Sequence, residues 1–247
     1  MAGLRKYLSL CAGLLYWLMI APFRGKGWRM GLVFAQIVRI GVHAVPMAAL
    51  TSLTIGVVLA MQSAAQLQKL GAVGFVPGLV SSSLVKELAP LVTAIIVIGR
   101  SGSGVTAELG TMRVSEEIDA LEVMAIHPMS WLIVPRFLAM VVMMPLLTVF
   151  SIYVGLFGGW LIAHFALDMT MPFYVQRALE YVALRDVWIG LLKAVVFGVL
   201  VVTIACNTGL NVEGGAEGVG VSTTRSVVVS LLAVFLANAV LTAFFFF

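Results

Sequence analysis

Charge is what this chain has least of. Only 11% of its 247 residues are Asp, Glu, Lys or Arg, against 62% hydrophobic, and the mean hydropathy is +1.10. So little polar surface cannot coat a water-soluble fold, which excludes an ordinary soluble domain and leaves lipid as the main solvent. Cysteine is equally scarce. Cys11 and Cys206 stand 195 positions apart with no CxxC pair, which argues against a disulfide framework or a thiolate zinc site. The three histidines, His43, His127 and His164, are scattered, so no metal or catalytic role is assigned to them. The phosphate-loop pattern GxxxxGKS/T is missing too: the glycine-rich "GRSGSGVTAELG" at 99–110 has no lysine, so ATP hydrolysis is not expected of this chain. The apolar stretches hold no Ser/His pair, HExxH or paired aspartates, which argues against an intramembrane enzyme. No cofactor and no nucleic-acid partner is expected.

What the chain has instead is long apolar runs. A spanning helix needs about 20 mostly apolar residues. Uncharged runs of that order occupy 40–68, 137–167, 194–212 and 226–247, and a fifth, 70–99, is interrupted only by Lys86 and Glu87. Five spans follow. The N-terminal "LRKYLSLCAGLLYWLMIAPF" has a basic start, Tyr16 and Trp17, and no small-x-small cleavage site before Pro22. It reads as an amphipathic helix lying in the membrane surface. With the N-terminus inside, ten Lys and Arg residues fall on that side: Arg5, Lys6, Arg24, Lys26, Arg29, Arg39, Arg100, Arg113, Arg136 and Arg225. Only Lys69, Arg177 and Arg185 fall on the other, a bias that sets a cytoplasmic N-terminus and a C-terminus at the outer face.

Against this background the segment "ELGTMRVSEEIDALEVMAIHP" at 108–128 is anomalous. It holds Glu108, Arg113, Glu116, Glu117, Asp119 and Glu122, with His127 a seventh when protonated. Ser115 suits an N-cap, and Glu116 and Glu117 suit the first turn, where the helix dipole favours negative charge. Ile118, Leu121, Met124 and Ala125 form an apolar stripe, and His127-Pro128 stops the helix. The prediction is a helix of about three turns, over 115–127, on the cytoplasmic face between spans two and three. Headgroup-binding helices are usually basic; an acidic one suits a groove on a protein. Ser115, Glu116, Glu117, Ile118, Asp119, Leu121, Glu122 and Met124 are the expected docking residues.

The motifs "ELAP", "GRSGSGVTAELGTM", "EEIDALEVMAIHP" and "PRFLAMVVMMPLLT", with the later "KAVVFG" and "TTRSVVVSLLAVFLANAVLTAFFF", closely resemble the MlaE-type (YrbE) ABC transporter permeases, the membrane subunits of MCE lipid-transport systems. The resemblance runs from about residue 30 to the end. It implies an all-α integral membrane fold with an N-terminal interfacial helix, five spans and a cytoplasmic coupling helix. The domain would be single, 1–247, with 1–27 as helix and linker and 28–247 as the bundle. It implies a homodimer in a bacterial inner membrane, served by a cytoplasmic ATPase that binds ATP and Mg, often a STAS-domain protein, and a periplasmic MCE-domain protein. Phospholipid or a related molecule would be the cargo. An autonomous channel or secondary transporter for a hydrophobic solute is the alternative; it would leave the acidic helix unexplained.

Intramembrane charges are costly and usually face a cavity or a partner. Lys86 and Glu87 are neighbours on a helix and cannot face each other, and Lys193 supplies a positive charge for the same cavity. The resemblance places all three at the lipid cavity, with lysine at 86 where the family often has arginine, which weakens bidentate phosphate contact. It also directs attention to Leu59, Met61, Gln62 and Leu67 as apolar lining. Arg39 and Arg225 are expected to contact lipid headgroups by snorkelling. The glycine-rich stretch 207–225 is expected to be a cytoplasmic turn that touches a partner.

Overall fold

The computed structural model describes residues 2–19 and 30–246. The expected linker, with Arg24, Lys26 and Arg29 and the 27/28 boundary, lies outside the described residues. Those described build helices throughout: α1 (Ala2–Met19), α2 (Met30–Ile40), α3 (Val45–Gln68), α4 (Val76–Ser83), α5 (Ala89–Val97), α6 (Ser103–Val114), α7 (Glu117–Val123), α8 (Val134–Leu167), α9 (Met171–Glu180), α10 (Leu184–Leu210) and α11 (Gly215–Phe246). Among the described residues, five helical stretches are long and apolar enough to cross a membrane: Met30–Gln68, Val73–Val114, Met129–Leu167, Leu184–Leu210 and Gly215–Phe245. This is an all-α integral membrane architecture, with every span longer than its uncharged run. Helices continue past the charges because backbone groups at the membrane boundary still gain from intrahelical bonding.

The second span is not a uniform α-helix. It passes through π-helical turns at Leu84–Leu88 and Ile98–Gly102, closed by Ala89 N–H donating to Leu84 O and Ser103 N–H donating to Ile98 O. A third π turn, Met129–Ile133, opens the span that continues as α8. Such turns insert one extra residue and shift the facing of everything after it. Two of them carry the charges Lys86, Glu87 and Arg100.

The chain packs as two compact units. One comprises Val45–Ala94, Met144–Val195 and Leu241–Phe247. Its core is Ala60, Ala64, Val76, Val80 and Leu84, with Leu59, Leu67, Leu88 and Leu156 packed around it. Here α3 and α8 meet backbone to backbone: a Cβ on Gly56 would land on the carbonyl of Gly155, and one on Gly158 on that of Leu53. Lipid gives no hydrophobic drive between helices, so close approach over small residues holds them by dispersion. The four-residue register Ser52, Gly56, Ala60, Ala64 is the buried face of α3.

The other unit comprises Met1–Ala44, Ile95–Met143 and Val196–Val240. It contains α1, α2, α6, α7 and the first part of α8. Leu10 and Leu14 of α1 are buried, and Tyr7 exchanges a 2.9 Å hydrogen bond with Thr203 of α10. Burial pushes the Tyr7 phenol above its ordinary pKa, partly offset by the Thr203 bond. The stretch expected as a long turn at 207–225 is mostly helix. Only 211–214 lies outside α10 and α11. Gly214 (φ +91) and Gly215 (φ +69) adopt the left-handed backbone that lets so short a link reverse the chain, and Val212 is buried.

Gly56→Val is expected to lower thermal stability in detergent by about 1–3 kcal/mol, the usual scale of overpacking. Gly31→Val, where a Cβ meets nothing within 4 Å, should leave it nearly unchanged. Equal melting midpoints for the two variants would refute the α3–α8 contact.

Candidate functional site

The acidic segment forms a shorter helix than its pattern predicts. Val114 closes α6, and Ser115 is its C-cap rather than the N-cap of α7; its hydroxyl lies 2.9 Å from Thr111 O and 3.0 Å from Glu117 Oε1. Glu116 takes φ 60 and turns the chain, so α7 begins at Glu117. It ends at Val123, ahead of Pro128, because Ala125 (φ 56) is left-handed. Ile126 N–H then donates to Leu121 O and Ala125 N–H to Glu122 O, the reversed pattern that satisfies the last carbonyls of a helix. The result is two turns, not three. Of the expected stripe only Ile118 is buried; Leu121 is half-buried, and Met124 is exposed together with Val123, the most exposed at 88%. Glu116, Glu117, Asp119 and Glu122 are all exposed. The outward face of α7 is thus both acidic and apolar, and Arg113 Nη1 binds Asp119 Oδ1 at 2.5 Å.

Behind α7, α6 is fixed by a charge cluster. Glu108 accepts from Arg39 Nη1 at 2.6 Å and from Arg136 Nη2 at 3.0 Å. The Arg136 side chain is 4% exposed and also donates to Leu132 O at 2.6 Å. The Ser101 hydroxyl donates to Ile40 O, and Thr106 lies within hydrogen-bond reach of Ala205 O and Ser226 Oγ. α6 is therefore tied to α2, α8, α10 and α11 within one unit. Arg39, expected to snorkel, is half exposed but holds this carboxylate. Glu108 and Arg136 had no assigned role in the sequence, although an acid and a base at the ends of apolar runs are a recognisable signal.

Lys86, Glu87, Asp186 and Lys193 gather in the unit of Val45–Ala94, Met144–Val195 and Leu241–Phe247. Glu87 Oε1 accepts from Lys193 Nζ at 2.5 Å and from Thr242 Oγ1 at 2.9 Å, while Lys193 also donates to Lys86 O at 3.2 Å. Lys86 turns elsewhere, to Asp186 Oδ2 at 3.3 Å. The neighbours thus diverge, as helical geometry requires. The Lys193 side chain has no exposed surface: its ammonium is spent on holding α10 to the π turn, whereas Lys86 and Glu87 are each 30% exposed. Of the four expected lining residues, Leu59 and Leu67 pack on the core and only Met61 and Gln62 face outward, because α3 presents its small-residue face to its neighbours. Arg225 lines a separate cavity in the other unit, the one that holds α1.

Five apolar spans, paired intramembrane charges and an exposed acidic helix hung between two spans define a multi-pass membrane protein of the transporter-subunit type. A family model described as "Permease MlaE" matches residues 33–244. A probable ABC transporter permease of Synechocystis is 40% identical over 203 residues, 82% of this chain and 77% of that protein. One of Rickettsia prowazekii is 36% identical over 217 residues, 88% and 84% of the two chains. The chloroplastic protein TRIGALACTOSYLDIACYLGLYCEROL 1 of Arabidopsis thaliana is 35% identical over 219 residues, 89% of this chain and 62% of that protein. The chain belongs to the MlaE permease family of ABC transporters.

The two ends of the Lys193–Glu87 pair are unequally buried, which predicts unequal mutants. Glu87→Gln strands a fully buried ammonium beside a neutral amide and is expected to cost about 3–5 kcal/mol. Lys193→Met leaves a partly exposed carboxylate that keeps Thr242, and should cost clearly less. Thermal unfolding of both variants in detergent checks the order; the reverse order would refute the unequal weight of the two ends.

Proposed function

We propose that the chain is the non-catalytic membrane subunit of an ATP-driven lipid transporter, and that α7 is where a cytoplasmic ATPase engages it. The observation that carries this reading is α7 itself. It exposes Glu117, Glu122, Val123 and Met124 together, a mixed acidic and apolar face that suits a protein groove better than anionic headgroups. Two copies of the chain would enclose the cargo. Closure of two ATPases on ATP would push α7, and α6 would carry the push into the bundle through Glu108. The partly exposed Lys86 and Glu87, with Met61 and Gln62, are the proposed cargo contacts; Lys193 positions Glu87, and Leu59 and Leu67 support the wall. A lipid cargo is supported by a relative whose name is that of a galactolipid, and phospholipid is the class proposed. It would pass between the inner membrane and a periplasmic MCE-domain protein, with a STAS-domain protein as a further cytoplasmic partner. The N-terminus would be cytoplasmic and the C-terminus periplasmic.

The test is co-purification after expressing the chain with its neighbouring genes. Glu117→Lys with Glu122→Lys reverses the exposed face and spares Asp119, which Arg113 uses. Like charges set opposite each other cost several kcal/mol, so ATPase retention should fall roughly tenfold or more, and the lipid-stimulated ATP hydrolysis with it. Unchanged retention and hydrolysis would remove α7 from the docking role and favour a channel or secondary transporter.

A further inference from the structure

A cavity of about 550 Å³ opens among α1, α10 and α11, lined in part by Lys6, Arg225, Asn207, Ser222, Ile204 and Val229. Its lining is sorted along the helices. On α11, Ser222 and Arg225 come first, and Val229 follows one turn later on the same face, since steps of three and four residues repeat one side of a helix. On α10 the order is inverted: Ile204 precedes Asn207. The two helices join through the short link at 211–214, so both polar ends lie toward that link and both apolar ends lead away from it. The apolar part of the α11 face alone extends several ångströms beyond Arg225 at 1.5 Å per residue. A site with cations and amides at one end and aliphatic side chains at the other matches a molecule with an anionic head and a hydrocarbon tail. Among the described residues, neither Lys6 nor Arg225 is paired with a carboxylate. The Tyr7–Thr203 hydrogen bond and the buried Leu10 and Leu14 hold α1, and with it Lys6, against α10 and its neighbours.

We infer that this cavity is a resident site for an anionic phospholipid, its phosphate between Lys6 and Arg225 and an acyl chain along Ile204 and Val229. The site shares no residue with the proposed cargo contacts at Lys86, Glu87, Met61 and Gln62, so it binds lipid as a structural ligand that seats α1. A phosphate group is the shared chemistry of a headgroup and of free inorganic phosphate. The cavity is larger than phosphate alone would fill and continues into apolar walls, and the lipid is therefore the occupant.

The experiment is native mass spectrometry of the full-length chain in detergent, offered equimolar phosphatidylglycerol and phosphatidylcholine. The wild type is expected to retain phosphatidylglycerol preferentially. Lys6→Gln with Arg225→Gln should reduce that retention by roughly tenfold or more, the order expected when two cations facing an anionic headgroup are removed. Val229→Trp fills the tail end and leaves both cations in place; it should also expel the lipid. This second variant keeps the inference testable if the charge variant does not fold by circular dichroism. No preference for the anionic lipid in the wild type, or undiminished retention in a folded variant of either kind, overturns the site. Displacement of the lipid by millimolar inorganic phosphate would make it a phosphate site and would equally overturn the inference. The readout is lipid retention without transport, so its failure leaves the proposed transport function standing.

Discussion

Lipid supplies neither hydrogen bonds nor counter-ions, and nearly every distinctive feature of this protein answers that constraint. Backbone groups are satisfied by continuous helices, and several of the charges within the spans are satisfied by one another. Glu87 takes Lys193, Lys86 takes Asp186, and Glu108 takes both Arg39 and Arg136. Each pair joins helices distant in sequence, so the few charges this chain carries act as cross-links. Removing one partner of such a pair costs far more than the pair contributes as a unit, which makes these positions specifiers of the arrangement more than sources of net stability.

The same constraint explains the π turns. An α-helix fixes the direction of each side chain, and a charge that would face lipid must be redirected or lost. Within the π turn Leu84–Leu88, Lys86 and Glu87 diverge to two different points along α10, which supplies both partners, Asp186 and Lys193. The one at Ile98–Gly102 brings Ser101 onto Ile40 O while Arg100 reaches toward Arg39 O at 3.4 Å. The irregular backbone and the intramembrane polar groups therefore occur together, with the π turn the local geometry that makes the polar contacts reachable.

The five spans and the fold class were legible because apolar length is a property of composition, which no tertiary contact overrides. The divergence of Lys86 from Glu87 was legible for a similar reason, since neighbours on a helix point apart whatever surrounds them. The interior of the acidic segment was not. Ser115 has the chemistry of an N-cap, yet α6 runs on to Val114 and draws that hydroxyl back to Thr111. Capping propensity describes a side chain, whereas the helix boundary was decided by two left-handed residues, Glu116 and Ala125, whose types carry no such signal. Which of the expected lining residues turn outward was not legible for another reason. Leu59 and Met61 have the same hydrophobicity signal, and only the small-residue face Ser52, Gly56, Ala60, Ala64 decides which turns inward. Glu108 and Arg136 went unassigned because their partnership spans 28 positions of sequence and three helices meet at it.

The shortness of α7 changes what can act as a lever. Isolated helices below about 12 residues are marginal even with good helix formers, and α7 has seven. Its geometry must come from what holds its ends: Ile118 buried beneath it, Arg113 on Asp119, and the left-handed closure at Ala125. Two of these lie within α7 or just beyond it, and the third is anchored in α6. Force applied to the exposed face of α7 is therefore borne by α6, which cannot shift without disturbing Glu108 and its two arginines. Arg136 is buried and also bound to Leu132 O, the more rigid of the two, while Arg39 is half exposed and free to follow. Under the proposed docking of an ATPase on α7, the moving part would be α6 and α7 together, pivoting about the Arg136–Glu108 contact, with the acidic helix only its outer end.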